Sequence, residues 1–266
     1  MTDAPESRSA AGASWRPRDC HAHTTFSDGA LTPAQLVATA RERDVRPSIA
    51  DHLSGDVGAA VGTLPGVARY LDALEALRDE DAPELAIAGE FCWQDALWRT
   101  LPPALWARFT HTVGSLHAVF LPVGGRVHMF QRGWPDGLET DAYMDAHVDN
   151  LERFAREMPV DLLAHPTLLP HPLRSRPLEE LWTEAREERA VKALAAAGIA
   201  FEVSNRYRPH ARFVRRAVDA GVRLSLGSDG HTFEQVADLG WPLAAAREAG
   251  ARDEDLYDPQ AHGRRA

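Results

Sequence analysis

The feature that most constrains the fold is a rhythm. Short apolar segments at residues 18–23, 47–50, 84–90, 109–117, 160–165, 199–204 and 222–227 alternate with longer amphipathic stretches at 33–43, 67–79, 141–157, 178–197, 210–220 and 241–249. The longer stretches carry apolar residues at helical spacing, as in Leu36, Val37 and Ala40, or Tyr143, Val148, Leu151 and Phe154. Thr32 before Pro33 is an N-cap and first-turn pair, and Gly198 and Gly221 stand where left-handed C-caps belong. Roughly seven strands alternating with helices imply a parallel sheet with helical crossovers. The strands are short, and no Gly-x-Gly-x-x-Gly or phosphate-loop lysine pattern follows the first, which favours a barrel over an open dinucleotide-binding sheet. The chain of 266 residues is long enough for one such α/β domain. We expect a single domain over 18–250, a disordered tail over 1–17 and a second tail over 251–266.

Composition removes several classes. No apolar run approaches the roughly 18 residues of a membrane-spanning helix, and the first 18 residues lack the apolar core of a signal peptide. Two cysteines, Cys20 and Cys92, make no disulfide framework, so a reduced cytoplasmic setting is expected. The net charge of −10 argues against a broad nucleic-acid surface. Of 29 basic residues only Lys192 is lysine, and it sits mid-helix. Schiff-base and lysine-dependent barrel chemistry therefore has no suitable residue, which also argues against an amidohydrolase with a barrel lysine.

Chemistry collects at the strand ends. The first strand closes on Asp19-Cys20-His21-Ala22-His23, and residues i and i+2 of a strand share a face, so both imidazoles can hold one ion. The second runs into Asp51-His52, the third ends at Glu90, the fourth at Gly114-Ser115-Leu116-His117, the fifth at His165 and the last at Ser228-Asp229-Gly230-His231. Asp28 follows the first strand closely. Barrel active sites lie at the C-terminal ends of strands, so six imidazoles and three carboxylates meet at one mouth. Such a cluster is costly to desolvate without cations. Its mixture of nitrogen and oxygen ligands suits zinc, iron or manganese.

These motifs resemble the PHP (polymerase and histidinol phosphatase) family. The resemblance runs from about His21 to His231. It is carried by DCHAHTTFSDGALTP, the ADH ending at His52, GE at Gly89-Glu90, GSLH ending at His117, AHP at Ala164–Pro166 and GSDGH ending at His231. It implies a distorted (β/α)7 TIM-like barrel and a metal-dependent phosphoesterase with three divalent ions. The first ion would take His21, His23, Glu90 and Asp229. The second would share Glu90 and add His117 and His165, and the third would take Asp28, His52 and His231. GSLH followed by Arg132-Gly133-Trp134-Pro135-Asp136 looks most like the histidinol-phosphatase branch. The segment Phe201–Pro209 resembles the family strand whose nearby arginine grips phosphate; Arg206 and Arg208 both stand there, with Arg208 the preferred match.

The expected reaction is hydrolysis of a small phosphomonoester, histidinol phosphate being one such metabolite, by a metal-bridging hydroxide attacking phosphorus in line. Glu90 would bridge two ions, and His231, Asp229 or a metal-bound water would protonate the leaving group. A phosphodiesterase or exonuclease on short nucleotides, and a silent metal-binding module, are the alternatives. Two departures from the family pattern bear on the substrate. The run Glu90-Phe91-Cys92-Trp93 lacks a further acid, and residues 118–131 form a long excursion. The excursion continues to Glu139 and is expected to act as a specificity lid, with Phe130, Arg132 and Trp134 covering the leaving group. Trp93 and Trp134 are expected at the mouth. His111, His128, His147, His171, His210 and His262 match no motif and read as surface or packing residues, with His171 and His210 nearest the substrate loops. Cys20 and Cys92 read as core thiols, and Asp51 as an acceptor that orients an imidazole or caps a helix.

Overall fold

The computed structural model describes residues 15–57 and 61–265. The strands are β1 Ser48–Ile49, β2 Ala86–Ile87, β3 Glu90–Cys92, β4 Val113–Ser115, β5 Ala118–Phe120, β6 Arg126–His128, β7 Leu162–Leu163, β8 Ala200–Ser204 and β9 Leu224–Gly227. The helices are α1 Pro33–Glu42, α2 Leu64–Glu80, α3 Leu97–Thr100, α4 Pro103–Trp106, α5 Thr140–Glu157, α6 Leu178–Leu181, α7 Glu184–Ala197, α8 Ala211–Asp219, α9 Gly240–Glu248 and α10 Pro259–His262. Parallel pairing runs β3-β4-β7-β8-β9, with β1 and β2 as a further parallel pair.

Segment 18–23 closes the ring. Cys20 N donates to Leu226 O at 2.8 Å and His23 N to Gly230 O at 2.9 Å on one side; Asp19 N donates to Arg46 O at 3.0 Å and Ala50 N to Ala22 O at 2.8 Å on the other. Glu90 N then donates to Asp51 O at 3.0 Å, which carries the ladder from the second segment into the third. The result is a distorted parallel α/β barrel of seven segments. Its regular strands are shorter than the apolar segments that contain them. One reason is that side chains take over part of the ladder: the Asp19 carboxylate accepts from the backbone of His21, Ser228 and Ala237.

The inside of the ring is filled by small side chains. Cys20, Ala50, Ala88, Val113, Leu162, Ala164 and Ala200 come from six successive segments and pack with Tyr257 in one buried cluster. The helices cover the outside with a larger apolar layer that includes Tyr70, Phe154, Trp182 and Phe213. Gly114 explains itself here: a Cβ at that position would lie 2.7 Å from both the Phe154 ring and Val160, so α5 packs directly on the strand. Thr32 and Gln35 form the capping box that starts α1, and Gly198 ends α7 at φ +67°. The stretch expected as one helix over 178–197 divides into α6 and α7. Thr183 starts the second helix by accepting from Arg186 N.

The last stretch is not a loose tail. Leu256 bridges to Leu224, Tyr257 N donates to Leu224 O at 2.8 Å, and Asp258 pairs with Arg18 and Arg46. An aromatic plug and a carboxylate anchor outweigh the polar composition of the segment. Residues 16 and 17 are tied down by Arg46, and residues 1–14 of the expected tail lie outside the described residues. Among the described residues no helix is long and apolar enough to cross a membrane.

His147 on α5 gives the fold a pH dependence. It is buried against Tyr143 and Trp182, its Nδ1 has no hydrogen-bond partner, and burial pushes its pKa down to about 4. The unfolded chain binds this proton first, near a pKa of about 6.5, so the contribution is intact above that pH and is lost as pH falls toward 4. A His147→Phe variant should therefore lose less stability than the parent between pH 7 and pH 4.5 in thermal unfolding. Parallel losses would show that His147 does not titrate in this way.

Candidate metal centre

The nine strand-end residues converge. Glu90, at the start of β3, lies at the middle: its Oε1 is 3.2 Å from Nε2 of both His117 and His165, and its Oε2 is 3.5 Å from His21 Nε2 and 3.7 Å from His23 Nε2. His23 Nε2 is 3.0 Å from His21 Nε2 and 3.3 Å from Asp229 Oδ1. Asp28 joins the other side, with Oδ1 3.7 Å from both His23 Nδ1 and His52 Nε2, and Oδ2 3.3 Å from His231 Nε2. His165 and Asp229 are held at positive φ, +31° and +48°, in the turns that leave β7 and β9. Non-glycine residues in that region carry local strain, and here it directs two of the converging side chains inward.

The donor chemistry fits divalent ions. Three overlapping groups have ligand atoms within 4.8 Å of one another: His23, Asp28, His52 and His231; His21, His23 and Asp229; and His52, Glu90 and His117. The contacts within the protein do not satisfy the cluster. His23 Nδ1, His52 Nδ1 and Glu90 Oε2 are buried without hydrogen-bond partners, although His52 Nδ1 and Glu90 Oε2 lie 2.6 Å apart. Burial pushes His23 down to about 3 and His117 to about 4, so both imidazoles are neutral and able to ligate. Burial alone would raise Glu90, but His52, His117 and His21 outweigh it and hold the carboxyl well below its usual range. Asp229 is likewise held low, by His23 and His21 against the effect of burial. His21 goes the other way: Glu202 and Glu90 overcome its burial and raise it.

The centre rests on three buried carboxylates that do not face it as ligands. Glu202 on β8 accepts from His21 Nδ1 at 2.8 Å and from His165 N at 2.5 Å, which leaves His21 Nε2 free to point inward. Sequence reasoning missed this residue, although a glutamate inside the apolar run Phe201–Ser204 is itself a signal. Gly227 makes room for it, since a Cβ there would lie 2.1 Å from Glu202 Oε1. Asp19 accepts from Ser228 N at 2.9 Å and Ser228 Oγ at 2.6 Å, fixing the turn before Asp229. Asp51 neither orients an imidazole nor caps a helix. It accepts from Thr24 N, Thr24 Oγ1 and Ser27 Oγ at 2.6–2.7 Å and so holds the turn that carries Asp28.

Above the cluster is an open cavity of about 420 Å³. Besides six of the nine clustered residues, its wall includes Val57, His128, Phe130, Arg206 and Tyr207. Arg206 reaches His231 Nδ1 at 2.6 Å and approaches Asp229 Oδ1 at 4.0 Å. Arg208, the preferred phosphate residue from sequence, instead bonds Asn205 and stacks over Trp241. Trp134 also lies off the cavity wall, its Nε1 donating to Leu138 O at 2.7 Å and its ring on Tyr143. Trp93 is buried with its Nε1 on Glu157, away from the mouth.

The excursion after His117 forms the antiparallel hairpin β5–β6, turned by Gly124 and Gly125 at φ +92° and +81°. Its far end brings His128 and Phe130 to the cavity. His128 was expected to be a packing or surface residue; its Nδ1 accepts from Phe130 N at 3.2 Å, so in the neutral ring the proton sits on Nε2. His210 turns toward the buried Glu187 at 3.0 Å rather than to the mouth, and His171 is exposed. Both cysteines are buried, Cys20 within the apolar cluster inside the ring.

No protein-family profile and no curated protein matches the chain. Among solved structures, histidinol phosphate phosphatase from Lactococcus lactis, complexed with zinc, L-histidinol and phosphate, superimposes with a TM-score of 0.67 at 15% identity, over 89% of this chain and 95% of that one. The two share a fold.

Glu202 supplies a direct test of the supporting layer. Glu202→Gln should weaken zinc binding by about 10–100-fold, the usual effect of losing such a partner, in a competitive chelator titration. Unchanged affinity in a folded variant would show that Glu202 does not tune the ligands.

Proposed function

We propose that the protein is a metal-dependent phosphomonoesterase acting on a small phosphorylated metabolite. The observation that carries this reading is the convergence of six imidazoles and three carboxylates around Glu90, on the fold shared with the zinc-containing histidinol phosphate phosphatase. Three ion positions account for all nine residues: one at His21, His23, Glu90 and Asp229; one at Glu90, His117 and His165; and one at Asp28, His52 and His231. Zinc is the first choice, with iron and manganese chemically compatible. When bound, the ions would supply a nucleophilic water of lowered pKa and neutralise charge on the phosphoryl oxygens.

The protein's own groups do the rest. Glu202 fixes the His21 tautomer, and Asp19 and Asp51 hold the two turns that place Asp229 and Asp28. Arg206, beside His231 and Asp229, presents its fork where a phosphoryl group would approach the cluster. Asp229, held ionised beside His23 and His21, has no proton to give, which leaves His231 as the side chain placed to protonate the leaving alkoxide. Both cysteines are buried outside disulfides, which suits work in the reducing cytoplasm.

The reading is tested by turnover of p-nitrophenyl phosphate. Activity should vanish on chelation and return with zinc. Arg206→Ala should lower kcat/KM by about tenfold or more through the loss of a charged bidentate contact, whereas Arg208→Ala should leave it within about twofold. Absence of zinc-restored activity, or equal effects of the two substitutions, would contradict the assignment.

A further inference from the structure

The cavity wall beyond the nine clustered residues has a one-sided chemistry. It consists of Val57, His128, Phe130, Arg206 and Tyr207: donors, aromatic faces and one aliphatic group. Among the described residues, the only carboxylates on this wall are Asp28 and Asp229, and both are engaged with imidazoles. Among the described residues, no other group on the wall can neutralise an ammonium group.

Arg174 reinforces that bias. Its guanidinium lies 5.6 Å from the Phe130 ring and 5.7 Å from the Tyr207 ring, within reach of both aromatic residues of the wall. It is fixed there by Nε donating to Leu169 O at 2.7 Å and one terminal nitrogen donating to Met129 O at 3.0 Å. Neither bond neutralises it, and among the described residues it has no carboxylate within ion-pair distance. Arg132 is a second exposed arginine of this kind, and Arg174 and Arg132 together hold the nearby His171 imidazole below its ordinary range. Three arginines elsewhere on the surface show the contrast. Arg108, Arg186 and Arg189 are each clamped between two acidic side chains. In a chain of net charge −10, uncompensated arginines beside a cavity amount to a local field of opposite sign.

Resting on the phosphoesterase reading, we infer that the alcohol half of the substrate carries its own anionic group, a carboxylate or second phosphate, on an aromatic or apolar body. The cluster and Arg206 take the phosphoryl end, Phe130 and Tyr207 take the body, and Arg174 takes the distal anion. Among the described residues, an amine-bearing alcohol meets only cations and rings at that end, so this wall selects against it.

Three aryl phosphates separate the possibilities: those of 4-hydroxyphenylacetate, p-cresol and tyramine. They have similar leaving groups and differ in the charge at the far end. With the zinc-loaded protein, calorimetry on the corresponding non-hydrolysable phosphonates should show the carboxylate compound binding about tenfold tighter than the methyl compound, the size expected for one charge-assisted contact, and the ammonium compound binding weakest. Arg174→Met should bring the carboxylate compound to within about twofold of the methyl one, and Arg174→Lys should restore part of the preference. If Arg174→Met does not fold, Arg132→Gln and the order on the parent protein read the same field. Equal or tighter binding of the ammonium compound, or a carboxylate preference that survives loss of both arginines, would overturn the inference. Turnover of p-cresyl phosphate is measured separately. Its absence with the binding order intact would overturn the phosphoesterase reading alone, and turnover with the order reversed would overturn this inference alone.

Discussion

A carboxylate with no solvent access sits at the centre of this barrel. Glu90 is 1% exposed, and each of its oxygens faces imidazole nitrogens: His117 and His165 on one side, His21, His23 and His52 on the other. A charge buried in this way is tolerated only where partners surround it. Those five partners come from four separate segments of the ring, so the position of one carboxylate depends on closure of the barrel. Closure in turn depends on small side chains inside it. Cys20, Ala50, Ala88 and Ala200 let the segments approach closely enough for their ends to meet. Gly89, whose Cβ would lie 2.3 Å from Leu53 Cδ1, keeps the approach to Glu90 narrow.

Around that centre, buried acids act as fasteners. Asp19, Asp51 and Glu202 each hold backbone or side-chain donors on neighbouring turns rather than pointing at the cluster. Asp19 shows what this placement costs: burial pushes its carboxyl up to about 6 even though hydrogen bonds from Ser228, Ala237 and His21 oppose the shift. A fully bonded buried carboxylate is a rigid part. Here three of them fix turns that supply His21, Asp28 and Asp229, whose relative positions set which ligand atoms can share an ion.

The inner site was legible in the sequence because its information is local. A histidine two residues from another on a strand, or an Asp-Gly-His after a strand, already states which side of the ring it serves. The outer site was not legible, because its geometry is set by turns. Arg206 and Arg208 differ by two positions in one loop, and only the stacking of Arg208 on Trp241 and the reach of Arg206 to His231 separate them. Trp134 reads as a lid residue until its indole is seen bonded to Leu138. His128 gives no motif, since its place at the cavity follows from the pairing of β5 with β6. The polar C-terminal stretch misleads for a similar reason: Tyr257 enters the ring cluster through a long-range pairing with Leu224 that composition does not reveal.

The claim on which everything else depends is that Glu90 is shared between metal ions. Anomalous diffraction at the zinc edge, from crystals grown with zinc and without chelator, measures it directly. The account predicts more than one zinc peak per chain, with at least two within ligand distance of the two Glu90 oxygens. A fully folded protein with one peak or none, or with zinc bound away from Glu90, would contradict it.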